Sequence, residues 1–206
     1  KAASPVCTYG FSKMLCEKLV LDASRKTKGS QAFMFVRFGN VLGSRGSILP
    51  LFQNQIKNGG PVTVTDPNMV RYFMTIPEAC SLVLEAGGHG ENGRSYLLDM
   101  GEPIKILELA EQIIRFSGLE PYKDIDIKIT GIRPGERLDE PLWLKEENPE
   151  QTEFPKILKL VNLSWDSKRL SNLIEKLEPI CHFTKGKEDL YRNKDELQKL
   201  IKGESI

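Results

Sequence analysis

A tyrosine and a lysine stand four residues apart in the segment TYGFSK, as Tyr9 and Lys13. On a helix, side chains at this spacing share one face. A lysine ammonium beside a phenol favours the ionised phenolate, and such a tyrosine can exchange a proton with a hydroxyl while its carbon gives hydride to a nicotinamide. The lysine can also hydrogen-bond the ribose of that cofactor. Because chance often produces this spacing, a surface tyrosine beside a solvated lysine is the alternative.

Three polar side chains farther along the chain are suited to hold a sugar or an anion. Asn40 follows the apolar run AFMFVRF (32–38), and open α/β sheets bind ligands at the carboxyl ends of buried strands. Arg71 and Arg133 each carry a planar guanidinium that fits two phosphate oxygens. A turn asparagine and charged surface arginines are the alternatives. The loop GSRGS (43–47) lacks the Lys-Ser/Thr of a P-loop, which argues against a nucleotidase.

The elements that position these residues alternate between helical and extended patterns, which predicts an α/β fold. Helices are predicted over 8–26, 49–57, 104–118 and 165–178, and one more begins with a capping box at Thr75 and Glu78. Strands are predicted over 32–38, 61–65, 71–76, 95–100 and 125–131, and 39–47 and 132–140 are expected to be loops. The apolar stripe of the first helix comprises Met14, Leu15, Cys16, Leu19, Val20 and Ala23.

The composition excludes several classes of function. The 206 residues carry a formal charge of +1, which argues against nucleic-acid binding by a basic face. No apolar run reaches the roughly 18 residues of a membrane span. The four cysteines form no CxxC pair and the two histidines lie far from any ligand-like cluster, so we expect no metal site and reduced thiols in a cytoplasmic protein. We also expect the chain to lack the strand, GxGxxG turn and helix that receive a dinucleotide's pyrophosphate.

Longer stretches carry a resemblance to a known family. The segment KAASPVCTYGFSK (1–13) resembles the active-site region of extended short-chain dehydrogenases/reductases. The segments RFGNVLGSRGSILPLFQNQIKNGGPVTVTDPNMVRYFMTIPEA (37–79) and IRPGERLDEPL (132–142) are similar to the CapD-like nucleotide-sugar 4,6-dehydratases of bacterial polysaccharide and flagellin-glycan synthesis. The resemblance covers about residues 1–160.

The resemblance implies an architecture. The chain would form the C-terminal part of a Rossmann-type, doubly wound parallel sheet, interwoven with a small α/β substrate-binding domain. Residues 1–45 and 73–100 are expected in the dinucleotide-binding domain, and residues 46–72 and 101–180 in the substrate domain. A charged helical tail is expected over 181–206.

The resemblance also implies a reaction and its residues. Tyr9 would take the proton of the sugar's C4 hydroxyl while NAD or NADP accepts hydride, and Lys1, with an aspartate expected before it, would handle the C5 proton and the leaving C6 hydroxyl. The residues implied at the cofactor are Tyr9, Lys13, Phe38, Gly39, Asn40 and Val41. Those implied at a UDP-sugar are Asn40, Ser47, Pro50, Thr63, Val64, Arg71, Arg133 and Glu136.

The resemblance favours a UDP-N-acetylhexosamine as substrate and a homo-oligomer as the assembly. Because the aspartate and the Gly-rich turn would precede residue 1, we expect the chain to be the C-terminal portion of a longer enzyme, inactive by itself, and the parent protein to be either cytoplasmic or membrane-anchored. One alternative is a sugar-nucleotide 4-epimerase of the same superfamily, which needs only Tyr9 and Lys13. Another is a non-catalytic remnant or assembly fragment.

Overall fold

The computed structural model describes residues 1–161, 163, 165–181 and 199, so most of the predicted charged tail lies outside the described residues. Its helices are α1 (Thr8–Lys26), α2 (Ile48–Lys57), α3 (Ile76–His89), α4 (Ile106–Phe116) and α5 (Ser167–Cys181). Its strands are β1 (Phe35–Arg37), β2 (Asn40–Leu42), β3 (Val62–Val64), β4 (Val70–Arg71), β5 (Phe73–Thr75), β6 (Ser95–Leu98), β7 (Ile104–Lys105), β8 (Ile127–Ile129), β9 (Asn148–Gln151) and β10 (Ile157–Val161). The α/β class is as predicted.

The largest sheet has the strand order β1-β6-β10-β9. β1 runs parallel to β6, whereas β10 runs antiparallel to both β6 and β9. β6 is buried along its whole length, and α3 packs on the sheet through a core that contains Met74, Ala79, Leu82, Ala86, Tyr96, Leu98, Met100 and Ile157. The predicted strand at 32–38 is shorter than expected and only half-buried, because β1 has a described neighbour on one side alone.

The sheet also takes in part of the chain that the sequence assigns to the smaller domain. β9 and β10 belong to residues 101–180, yet they extend the sheet that β1 and β6 begin. Ile157 and Leu160 on β10 are each 1% exposed, so pairing with β6 buries the apolar face of this strand. Residues 148–161 therefore contribute two strands to the sheet of β1 and β6.

A second core lies around the parallel pair of β3 and β8. The helices α2 and α4 pack on this pair, and the buried side chains are Phe52, Ile56, Val62, Val64, Met69, Ile106, Ala110, Ile113, Ile114, Ile125 and Ile127. α4 has its apolar residues at helical spacing and is followed by Gly118 with φ 76°, the left-handed conformation that glycine adopts most easily. The strands and helices predicted here from periodicity are confirmed.

Local sequence signals set the start of α3. The hydroxyl of Thr75 accepts a hydrogen bond from the backbone N–H of Glu78 at 3.3 Å, and Pro77 occupies the first turn. The Glu78 carboxylate accepts a hydrogen bond from Lys156 and also bonds to the backbone of Thr75, and these bonds lower its pKa. The predicted N-terminus of α3 and its capping box are thus confirmed.

α1 spans the predicted residues, but its buried face differs from the predicted stripe. Cys16 and Leu19 are exposed, whereas Glu17, Lys18 and Asp22 are buried. The charged positions are buried because Glu17 binds the buried Arg37 and Asp22 binds Lys26. Near the start of α1, Phe11, Met14 and Leu15 pack against Leu173 and Leu177 of α5.

The predicted loop at 39–47 contains a strand. Residues 40–42 form β2, which pairs in parallel with β5, and the N–H of Asn40 donates to the carbonyl of Tyr72 at 2.9 Å. A Cβ on Gly39 would lie 2.9 Å from Tyr72 Cβ, so the absence of a side chain permits this approach. A three-residue strand is too short for periodicity to reveal.

Candidate active site

The N-terminal half of α1 borders a cavity of about 500 Å³, which we name the tyrosine cavity. Its lining residues are Lys1, Ala2, Ala3, Tyr9, Lys13, Glu17, Val36, Arg37, Phe38, Gly39, Asn40, Val41, Ser44, Glu140, Pro141 and Leu142. Tyr9 is 58% exposed, and Lys13 Nζ lies 5.3 Å from the centroid of its ring. All six residues predicted at the cofactor and all three predicted catalytic residues therefore line one cavity.

Gly10 allows Lys1 to reach this cavity. A Cβ at position 10 would lie 3.0 Å from the carbonyl oxygen of Lys1 and 3.3 Å from Cα of Pro5. Only a residue without a side chain lets the first residues cross α1 this closely. Ala2 and Ala3 are buried beneath the crossing, which holds the segment in place.

Lys1 is bound by a carboxylate that the sequence does not single out. Lys1 Nζ lies 2.5 Å from Glu140 Oε1, and Arg71 Nε lies 3.6 Å from the same oxygen. The Glu140 side chain is 18% exposed, against 48% for Lys1. Burial would raise the pKa of Glu140, but the hydrogen bond from Lys1 and the charges of Lys1 and Arg71 lower it below the usual glutamate value.

Arg71 is held by backbone carbonyls. Its Nη1 donates to Val70 O at 2.7 Å and to Leu138 O at 2.9 Å, and its Nη2 donates to Arg137 O at 2.7 Å. These bonds use three of the five N–H groups of a guanidinium. The second N–H on Nη2 and the Nε proton are the donors left for a phosphate or for Glu140.

A second cavity, of about 400 Å³, lies beside the start of α2, and we name it the loop cavity. Six of the eight residues predicted at the UDP-sugar line it, namely Asn40, Ser47, Thr63, Arg71, Arg133 and Glu136. The other two do not: Pro50 is exposed on α2, and Val64 lies in the second core. A smaller cavity of about 210 Å³ shares Lys1, Asn40 and Glu140 with the tyrosine cavity, and Asn40, Arg71 and Glu136 with the loop cavity.

Several polar groups of the loop cavity are already oriented. Gln55 Nε2 donates to Thr63 Oγ1 at 2.7 Å, so the Thr63 hydroxyl proton is free to point elsewhere. Glu136 Oε2 accepts from the backbone N–H of Arg133 at 3.2 Å. The Ser47 hydroxyl oxygen is buried and makes no hydrogen bond within the described part of the chain. Such an oxygen is suited to a ligand.

Arg45 also lines the loop cavity, and the sequence reasoning missed it. It lies in the GSRGS loop between Gly43 and Gly46, whose φ angles of 77° and 70° turn the chain toward the N-terminus of α2. Of this loop, the sequence prediction assigned only Ser47 to the ligand. An exposed arginine between two glycines, before a helix, was nevertheless a signal for anion binding.

A buried ionic cluster joins α1 to the rest of the site. Arg37 binds Glu17 through two bonds of 2.8 and 2.7 Å, and Glu147 through two of 2.6 and 3.0 Å. All three side chains are at most 11% exposed. Burial opposes the charge on Arg37, but hydrogen bonds to the two carboxylates raise its pKa above the usual value. Glu17 stands two helical turns after Tyr9, so the cluster fixes the helix that carries Tyr9 and Lys13.

The GxGxxG letters do occur, contrary to expectation, as GHGENG over residues 88–93. They run from the last residues of α3 into the turn before β6, whereas a dinucleotide-binding turn follows a strand and precedes a helix. Two of their glycines serve packing: a Cβ on Gly90 would clash with Met34, and one on Gly93 would lie 2.9 Å from Ser24 Oγ. The segment does not provide the pyrophosphate site.

Two features are absent from the described residues. Within that part of the chain, no three His, Cys, Asp or Glu side chains come together as a metal site would require. No described helix combines the length and the apolar character needed to cross a membrane.

The sequence relatives are longer proteins than this chain. The capsular polysaccharide biosynthesis protein CapD of Staphylococcus aureus is 51% identical over 157 residues, which are 76% of this chain and 26% of that protein. A UDP-glucose 4-epimerase of Rickettsia rickettsii is 38% identical over 149 residues, 71% of this chain and 42% of the epimerase. The chain thus covers less than half of either relative.

Solved structures share the fold. The structure of Pen from Bacillus thuringiensis has a TM-score of 0.66 and 35% identity, over 80% of this chain and 51% of that one. DesIV, a dTDP-glucose 4,6-dehydratase from Streptomyces venezuelae solved with NAD, has a TM-score of 0.58 and 21% identity, over 68% of this chain and 43% of that one. The second likeness supports the Rossmann-type fold alone.

The family assignment rests on the match along the chain. The model of the polysaccharide biosynthesis protein family matches residues 1–162, which include every residue of the three cavities. This range agrees with the extent of the CapD-like resemblance found in the sequence, and that resemblance is confirmed. The chain belongs to the polysaccharide biosynthesis protein family.

Proposed function

We propose that this chain carries the proton-handling and sugar-nucleotide-binding groups of a nucleotide-sugar 4,6-dehydratase that acts on a UDP-N-acetylhexosamine. The observation that carries the proposal is the sharing of one cavity by Lys1, Tyr9 and Lys13. Asn40 lines this cavity and the loop cavity alike, so a single ligand can reach from the proton-transfer groups to the arginines.

The tyrosine cavity supplies the groups that two proton transfers need. Tyr9 removes the proton of the C4 hydroxyl, and Lys13 Nζ lies 5.3 Å from the centroid of its ring. Once C4 is a ketone, the C5 proton becomes acidic. Lys1 lies at the same cavity as Tyr9 and serves the elimination, in which the C5 proton and the C6 hydroxyl are lost as water. A 4-epimerase has no such second task.

The loop cavity supplies the binding groups for the nucleotide diphosphate. Arg45 and Arg133 are exposed guanidinium groups on its wall, and they fit the two phosphates of a UDP-sugar. Ser47 and Thr63 offer hydroxyls, and Glu136 offers a carboxylate that can accept hydrogen bonds from a ribose. The cavity's mixture of a few polar anchors and apolar walls is typical of small-molecule sites.

The residues present fit the nicotinamide half of NAD or NADP. The tyrosine cavity combines the apolar side chains of Val36, Phe38 and Val41 with Lys13, whose ammonium suits a ribose hydroxyl. A bound nicotinamide would supply hydride transfer. The residues of this chain would orient its ring against the sugar's C4 carbon and exclude water from that contact.

A sugar-nucleotide 4-epimerase is the second candidate. The observation that favours it is the 38% identity to the UDP-glucose 4-epimerase of Rickettsia rickettsii. Epimerisation requires Tyr9 and Lys13 but leaves Lys1 without a role. The pairing of Lys1 with Glu140 at the edge of the tyrosine cavity therefore favours the dehydratase.

The two candidates differ in their products. The full-length gene product should be incubated with UDP-N-acetylglucosamine and NAD or NADP, and the product examined by mass spectrometry and NMR. A dehydratase gives a product lighter by one water, with a methyl group at C6 and a ketone at C4. An epimerase gives UDP-N-acetylgalactosamine of unchanged mass, and that result would overturn the proposal.

A further inference from the structure

We propose that Glu140 is a positioning residue for the elimination step and acts by holding the Lys1 ammonium at the tyrosine cavity. The proposal rests on the function proposed above, because it assigns Lys1 to that step. The observation that supports it does not involve Tyr9: Lys1 and Glu140 are 139 residues apart in sequence, and Lys1 Nζ lies 2.5 Å from Glu140 Oε1.

The position of Glu140 is itself fixed by Arg71. Arg71 is 9% exposed, and its guanidinium donates hydrogen bonds to the carbonyls of residues 137 and 138, just before Glu140 in the chain. Its Nε faces Glu140 Oε1 at 3.6 Å. A series of contacts therefore runs from the backbone through the buried Arg71 to Glu140, and from Glu140 to the half-exposed Lys1 at the cavity. Fixed neighbours of this kind reduce the conformational freedom that a long lysine side chain otherwise keeps.

Glu140 differs from the partners of ordinary surface lysines. The carboxylates of Glu91 and Glu120, which pair with nearby basic residues, are 58% and 64% exposed, whereas that of Glu140 is 18% exposed. A half-buried pair is screened less by water than an exposed one. Glu140 also lines both the tyrosine cavity and the smaller cavity beside it, so its contact lies where a substrate would pass.

The expected size of the effect follows from how far Lys1 is displaced. Misplacing a reacting group by about 1 Å can cost about 100-fold in rate. Removing the Glu140 charge releases Lys1 from this ion pair, although Tyr9 and Lys13 keep their places on α1. The oxidation at C4 should then proceed as before, and only the elimination should slow.

The test compares Glu140→Gln and Glu140→Asp in the full-length enzyme. Glu78→Gln is the matched control, because Glu78 also binds a lysine, Lys156, at 2.5 Å, yet neither residue lines the three cavities around Asn40. For Glu140→Gln we expect kcat to fall about 10- to 100-fold with KM changed by less than about twofold. Glu140→Asp should recover part of the loss, and Glu78→Gln should stay within about twofold of the parent enzyme.

A spectroscopic readout separates positioning from a general structural role. If only the elimination slows, the absorbance of reduced nicotinamide should accumulate after Glu140→Gln is mixed with substrate, and the melting temperature should match that of Glu78→Gln. Equal slowing of oxidation and elimination would contradict the proposal, and so would unchanged kcat.

A second measurement does not depend on the reaction. The rate at which acetic anhydride modifies Lys1, followed by peptide mass spectrometry, should rise in Glu140→Gln and stay unchanged in Glu78→Gln. If the parent enzyme forms no dehydrated product but this rate rises, the proposed function fails while the Lys1–Glu140 contact stands. If the rate does not change, the positioning role of Glu140 is wrong whatever the enzyme's reaction.

Discussion

At the scale of single residues, Tyr9 has the most demanding role, since the proposed reaction begins with a proton transfer to its oxygen. Tyr9→Phe should lower kcat by about 100- to 10,000-fold, the usual contribution of a general base. The ring is 58% exposed, so loss of the hydroxyl should leave the melting temperature within the error of the measurement. Product formation by NMR and thermal unfolding by circular dichroism provide the two readouts.

Tyr122→Phe is the matched control for Tyr9→Phe. Tyr122 is 57% exposed, and its hydroxyl donates to Glu111 on α4 rather than facing the tyrosine cavity. It should retain full activity. Substantial turnover by Tyr9→Phe, above about a tenth of the parent rate, would remove Tyr9 from the mechanism.

The sequence singles out Tyr9 and Lys13 as candidates because they are neighbours on one helix. Glu140 and Glu147 were missed because their partners lie 139 and 110 positions away. An acidic residue in a loop looks like a solvated charge until the fold brings a buried cation to it. Sequence spacing carries no information about such pairs without the fold.

At the scale of elements, the Arg37 cluster joins α1, β1 and the segment ahead of β9. Glu147 is 4% exposed and also accepts from the N–H of Leu144 at 2.8 Å. Glu147→Gln should lower the free energy of unfolding by about 3–5 kcal/mol, because it leaves a buried guanidinium with reduced compensation. Chemical denaturation at neutral pH measures this. Glu91→Gln, which breaks an exposed pair with Arg94, should cost about 0–1 kcal/mol.

The same variant should change the pH dependence of stability. Burial would raise the pKa of Glu147, but its bonds from Arg37 and Leu144 lower it below the usual value of about 4.3. A lowered pKa stabilises the folded state above about pH 4.3, and this contribution is lost as the pH falls through the folded-state value. The stability gap between the parent and Glu147→Gln should therefore narrow in acid. A gap that stays constant below pH 4 would contradict this reading of Glu147.

Elements with local signals were predicted well, and elements made by pairing were not. α3 was found through Thr75 and Pro77, and α4 through its periodicity, because these signals act within a few residues. β2 and β9 are three and four residues long and depend on partners elsewhere in the chain. The buried face of α1 was predicted wrongly for the same reason, since Glu17 is buried by its ion pair with Arg37, a residue outside the helix.

At the scale of the whole molecule, two cores meet around a row of cavities. One core lies under the sheet of β1 and β6, and the other lies around β3 and β8. Asn40 follows β1 and touches all three cavities, so it stands where the two halves of a ligand would join. The sequence placed Asn40 there by the strand-end rule, whereas the return of β9 and β10 to the main sheet required the structure.

The most direct measurement follows a label within the substrate. UDP-N-acetylglucosamine carrying deuterium at C4 should be given to the full-length gene product with NAD or NADP, and the product analysed by NMR. In a 4,6-dehydratase the hydride removed from C4 returns to C6, so we expect the deuterium in the new methyl group at C6. Deuterium that remains at C4 with inverted configuration would identify an epimerase and contradict the central claim.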